Sequence, residues 1–140
     1  GVCGMSAALS LAHSEMEKNN ARVRALRDMF VSAVLKEIQG TFLAGDINRR
    51  LPGNANIGFF GCRGEQIMIK LDMRGICVST GSACSSGASK PSPVLLSMGL
   101  SEEEAASCVR FTFGRENTEE EVKFAVKTLA EVVGEIRSMR

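Results

Sequence analysis

The chain has 140 residues, 44% hydrophobic and 24% charged, with a formal net charge of +1; this balance fits one folded domain with enough chain to bury a core, and nothing in it suggests disorder. The small net charge, the lack of a basic block and the absence of Trp and Tyr argue against nucleic acid or an anionic membrane as the main partner. No apolar run approaches the roughly 20 residues of a bilayer span, and the start lacks the basic-then-apolar order of a signal peptide, so a cytoplasmic location follows.

In chain order, Leu9, Ala12, Met16, Val23, Leu26, Phe30, Ala33, Val34 and Ile38 keep helical spacing, and Gly40 is placed to end the helix from its C′ position. A helix over residues 1–39 would reach about 50 Å at 1.5 Å per residue, more than a small domain can cover. Either it breaks near Asn19-Asn20, or its first half packs against something outside this chain. Short extended segments are predicted at Thr41-Phe42-Leu43, Asn56 to Phe60, Ile76 to Ser79 and Val109 to Phe113, with helices between them. Gly64 to Met73 is a predicted helix with Ile67, Leu71 and Met68 candidates for its inner side. Ser92-Pro93 supplies an N-cap with proline at the first helical position, while Ser101 to Glu104 and Thr118 to Glu121 are capping boxes. In the last helix Val122, Ala125, Val126, Leu129, Val132, Val133 and Ile136 form one apolar stripe, which is core. The pattern is α+β, one domain over 1–140, without repeat, low-complexity segment or linker.

The run from Ser79 to Ser89, Ser-Thr-Gly-Ser-Ala-Cys-Ser-Ser-Gly-Ala-Ser, is the most informative stretch. It sets Cys84 among small, polar residues, with no β-branched or aromatic apolar side chain between Val78 and Val94, so an exposed, mobile loop over 80–91 is expected. Five cysteines without a Cys-x-x-Cys pair indicate neither a zinc site nor a disulfide framework, and no metal site is expected. Cys3, Cys77 and Cys108 sit among apolar or small residues and are expected to act as small hydrophobes. Cys62, on a probable turn beside Arg63, is expected to be structural as well. A thiolate is the nucleophile of cysteine chemistry, and a glycine-bracketed loop lets such a group travel. Arg110 alternates with Val109 and Phe111 on a strand; an arginine so placed either grips a carboxylate bidentately or makes a structural ion pair, with Glu116 or Asp72 as candidates.

The Cys84 run, followed by Lys90 to Leu100 and by Val109-Arg110-Phe111-Thr112-Phe113-Gly114-Arg115, resembles the C-terminal, small domain of cysteine desulfurases of the iron-sulfur-cluster type, in the class-V aminotransferase superfamily. The resemblance extends from the helix around Asn19 to Leu26, through Leu51 to Phe59, to the helix start at Thr118. It implies the small domain of a fold-type I pyridoxal phosphate enzyme: a short, mainly antiparallel sheet packed by helices, with a long N-terminal helix that bridges to a preceding cofactor domain. It implies that Cys84 attacks the sulfur of L-cysteine held on pyridoxal phosphate, releasing alanine and keeping a persulfide for an iron-sulfur scaffold or other acceptor. Arg110 would then hold the substrate carboxylate. Asn56 and Arg115 match family positions, with substrate contact and structural support both open. A homodimer is implied for the full-length enzyme.

The lysine that anchors pyridoxal phosphate in this family, in a Ser-x-His-Lys context, has no counterpart here. His13 is not the family's catalytic histidine and is expected to be surface or interface. The chain is therefore expected to be inactive alone. Ser85, Lys90 and Gly58 stand where threonine, glutamate and serine are common. A stand-alone persulfide carrier and a purely structural module are the alternatives. An aminotransferase that makes no use of the loop is disfavoured by Cys84 itself.

Overall fold

The computed structural model describes residues 1–81 and 91–139. The elements run α1 (Val2–Glu37), β1 (Thr41–Leu43), β2 (Asn54–Phe59), α2 (Gly64–Asp72), α3 (Pro93–Ser97), α4 (Glu102–Ser107), β3 (Cys108–Thr112) and α5 (Glu119–Ser138). The three strands form an antiparallel sheet in the order β1-β2-β3. This is the α+β arrangement expected from the sequence.

Alternation along the strands gives the sheet two unlike faces. Ala55, Ile57 and Phe59 of β2 and Val109 and Phe111 of β3 are buried against α1 and α5. Their helix partners include Phe30, Val34, Leu129 and Val132, and the Phe30 and Phe111 ring centroids lie 4.7 Å apart. The opposite face runs from apolar to polar. Phe42, Gly58 and Cys108 lie in one row across the three strands, under Leu95 of α3 and Ala105 of α4. A Cβ on Gly58 would fall 2.2 Å from Phe42 ring carbons. The phenylalanine ring thus occupies the space that a serine side chain needs, which accounts for the departure at this position. Further along the same face lie Asn54, Asn56 and Arg110.

The helix ends follow local chemistry. Ser101 and Thr118 form complete capping boxes with Glu104 and Glu121. Ser92 occupies the N-cap of α3, but its side chain makes no capping bond. Helix α1 ends one residue earlier than expected: Ile38 is the cap in extended conformation, and Gly40, with φ of +65°, lies two residues past it. Arg137 near the end of α5 donates to the carbonyls of Gln39 (2.7 Å) and Phe60 (2.8 Å), tying α5 to the exits of α1 and β2. Glu135 pairs with Lys70 (2.8 Å) and with Arg74, which fastens α2 to α5.

Of the two alternatives for α1, the break near Asn19-Asn20 does not occur and the helix is continuous. Two expectations are corrected. Residues 76–79 do not form a strand: only Ser79 pairs, as an isolated antiparallel bridge to Arg110. Cys77 is exposed, as is Cys3, so neither acts as a buried hydrophobe; Cys62 and Cys108 do. The reason at Cys77 is that Ile76 and Val78 turn toward the main core while the residue between them turns outward.

Candidate functional site

The polar end of the open sheet face is the floor of a cleft of about 500 Å³. Asn54, Asn56 and Arg110 come from β2 and β3; Asp46, Arg49 and Arg50 come from the loop after β1; Ser92 to Leu95, Met98 and Gly81 complete the lining. The loop owes its shape to Asp46, whose carboxylate accepts from the backbone N–H groups of Asn48 (2.6 Å) and Arg49 (2.9 Å). Those bonds hold the Asp46 carboxyl below the usual carboxylate range. The Arg50 guanidinium donates to the carbonyls of Asp46 (2.7 Å) and Ala44 (2.8 Å), so it is committed to the loop.

Arg110 is different. Its backbone N–H and C=O both bond Ser79, at 2.7 Å and 3.1 Å, while its half-buried side chain faces the cleft. Among the described residues it has no ion-pair partner; Arg115, and not Arg110, pairs with Glu116 (2.9 Å). Neither candidate partner, Glu116 or Asp72, forms an ion pair with Arg110. A half-buried guanidinium without a counter-charge, in a cleft large enough for a small molecule, is suited to a carboxylate.

Asn56 also lines this cleft, with its Oδ1 buried and unpartnered among the described residues. Arg115 is elsewhere: exposed, paired to Glu15 (3.7 Å) and Glu116, with its carbonyl accepting from Arg22. His13 is on the exposed half of α1, in a separate cleft with Leu9, Met16 and Arg115. Cys84 lies outside the described residues, as does most of the expected 80–91 loop. Cys108 is unsuited to nucleophilic work, because burial pushes its thiol up to about 11 and it donates to the Glu104 carbonyl.

Asp46, Arg49, Arg50 and Asn54 were not foreseen as cleft residues. Asp46 followed by Asn48 is the available signal, since aspartate commonly fixes a turn by bonding the backbone two residues on. No described lysine lines the cleft, and Lys70 is engaged with Glu135.

A family model described as aminotransferase class-V matches residues 1–124. The chain belongs to the class-V aminotransferase family. Within it, the chain is 41% identical over 138 residues to a cysteine desulfurase IscS of Shewanella amazonensis and 40% identical to that of Rickettsia massiliae. Each comparison covers 99% of this chain and 33% of the relative, so the chain spans about a third of the length of these relatives. Among solved structures, a NifS-like protein superposes with a TM-score of 0.83 at 26% identity, over 96% of this chain and 33% of the other. A NifS-like protein of Rickettsia africae gives 0.74 at 25% identity, over 89% and 31%. About a third of each of these NifS-like structures thus shares the fold of this chain. No helix among the described residues is long and apolar enough to cross a membrane.

Proposed function

We propose that this chain is the small, C-terminal domain of a cysteine desulfurase that converts L-cysteine to L-alanine and passes the sulfur on through a persulfide. The observation that carries this reading is Arg110, unpaired among the described residues, in a cleft that Gly81 also lines. Cys84 is three residues beyond Gly81, at most about 10 Å of extended chain. A carboxylate gripped by Arg110 and a thiolate on the adjoining segment can address the two ends of one small amino acid. The Cys84 thiolate attacks the substrate sulfur and forms an S–S bond. The substrate C–S bond breaks, its electron pair stays on carbon, and that carbon takes up a proton to give alanine.

The reading leaves pyridoxal phosphate, which this chemistry requires, to the part of the protein outside this chain. The first half of α1 is in keeping with that: Val2, Met5, Leu9 and Met16 are exposed along it, and the reading has them bridge to the cofactor domain. A homodimeric, cytoplasmic enzyme serving an iron-sulfur scaffold or another sulfur acceptor completes it.

The test mixes this chain with a separately made cofactor domain of the same protein and assays sulfide and alanine from L-cysteine. Activity that needs both parts and vanishes with Cys84→Ala supports the proposal. A folded, pyridoxal-loaded mixture that yields neither product overturns it and leaves the persulfide carrier or the structural module.

A further inference from the structure

Among the described residues that line the cleft, one polar side-chain atom, Asn56 Oδ1, is buried and without a partner. A buried acceptor without a donor is destabilising, and in a native fold it calls for an explanation. The register supplies one. Asn56 is directly opposite Arg110 across β2 and β3. The Arg110 backbone turns both of its polar groups to Ser79, and the Asn56 carbonyl accepts from the Ala44 N–H on the other side (2.8 Å). The pair is therefore a non-hydrogen-bonded one, the arrangement in which opposed side chains approach most closely. Both side chains face the same cleft. The fold thus sets a spare acceptor next to a guanidinium that has five donors and no carboxylate among the described residues.

We infer that Asn56 is a positioning residue for Arg110: its Oδ1 accepts one guanidinium N–H when a ligand is bound and so aims the remaining fork at the ligand carboxylate. A neutral amide suits this task. It holds the guanidinium without neutralising it, whereas a carboxylate at the same place would compete with the ligand. Asp46, the acidic residue lining the cleft among the described residues, is already engaged by backbone N–H groups. The other two arginines are excluded from the role by position and commitment. Arg50 is bound to loop carbonyls, and Arg49 is on the exposed loop rather than on the sheet. The identity of the ligand, an α-amino acid, rests on the desulfurase reading; the coupling of Asn56 to Arg110 does not.

The experiment uses the full-length protein that contains this chain, and measures L-alanine binding by calorimetry and L-cysteine turnover in the steady state. Asn56→Ala is expected to weaken alanine binding and raise KM about tenfold each, the worth of one bond to a charged group, with kcat within about twofold. In the Arg110→Ala background the same substitution should add nothing, because its effect passes through Arg110. Asn56→Asp, which keeps the shape and adds a charge, should weaken binding more than Asn56→Ala, and serves as the test should Asn56→Ala fail to fold. Binding unchanged in the folded variants, or a full additional loss on top of Arg110→Ala, overturns the inference. A wild-type protein that binds alanine through Arg110 and Asn56 but releases no sulfide would overturn the desulfurase reading while leaving this coupling intact.

Discussion

The two faces of the three-stranded sheet are built from alternate residues of the same strands, yet one is packed shut by helices and the other is left partly open as a cleft. On the face covered by α1 and α5, every strand position from Ala55 to Phe59 and from Val109 to Phe111 is filled with apolar side chains that touch helix partners. On the opposite face the Phe42, Gly58 and Cys108 row is closed over by α3 and α4, but the next row, Asn56 and Arg110, is left open. A period of two therefore separates residues that build the core from residues that line the cleft, and the proposed reading assigns ligand binding to the second set alone.

The sharpest way to break that comparison is to truncate one side chain on each face. Phe59→Ala, on the covered face, is expected to cost about 3–5 kcal/mol through lost burial and the cavity left behind, read from urea midpoints of the full-length protein. Gly58→Val should cost about 1–3 kcal/mol, since the new side chain displaces the Phe42 ring. Thr118→Ala removes the cap of α5 and should cost about 1 kcal/mol wherever its effect is read. Arg110→Ala should stay within about 0.5 kcal/mol of the parent and, on the proposed reading, weaken carboxylate binding about a hundredfold. If Arg110→Ala destabilises as Phe59→Ala does, the division between the faces is wrong.

Acid sharpens the comparison in another way. Glu121 is held below its ordinary value of 4.5 by the Asn117 side chain and the Thr118 backbone, and Glu104 by the Ser101 backbone and hydroxyl. Because the folded forms bind protons less readily than the unfolded chain, their contribution is complete above about pH 4.5. It is lost as pH falls through the lower folded values. The urea midpoint should fall as pH is lowered below about 4.5, and Glu121→Gln should flatten that fall.

Much of this division was legible in the sequence. The stripe from Val122 to Ile136, the capping boxes and the alternation around Arg110 are local patterns, and each reappears in the structure. The helical spacing of α1 was equally plain along its whole length, yet Leu9 and Met16 are exposed while Phe30 and Val34 are buried. Periodicity reports which face wants a partner; it says nothing of whether the partner is in the same chain. Ile76 to Ser79 misled for a related reason: apolar composition favours extension, but a ladder also needs a neighbour in register, and only Ser79 meets Arg110. The loop carrying Asp46, Arg49 and Arg50 has no period, so its place in the cleft depended on tertiary contacts that no local pattern encodes.

One consequence concerns the order in which the domain is made. Helix α1 buries Phe30 and Val34 against Leu129 and Val132 of α5, about a hundred residues later in the chain. At a ribosomal rate of about 5–20 residues per second, that face waits roughly 5–20 seconds for its partner. During that interval β2 and β3 emerge and can cover part of the stripe, but the side that meets α5 stays uncovered to the end. A chaperone that shields such stripes during synthesis should raise the yield of folded protein, and slowing translation between β3 and α5 should lower it.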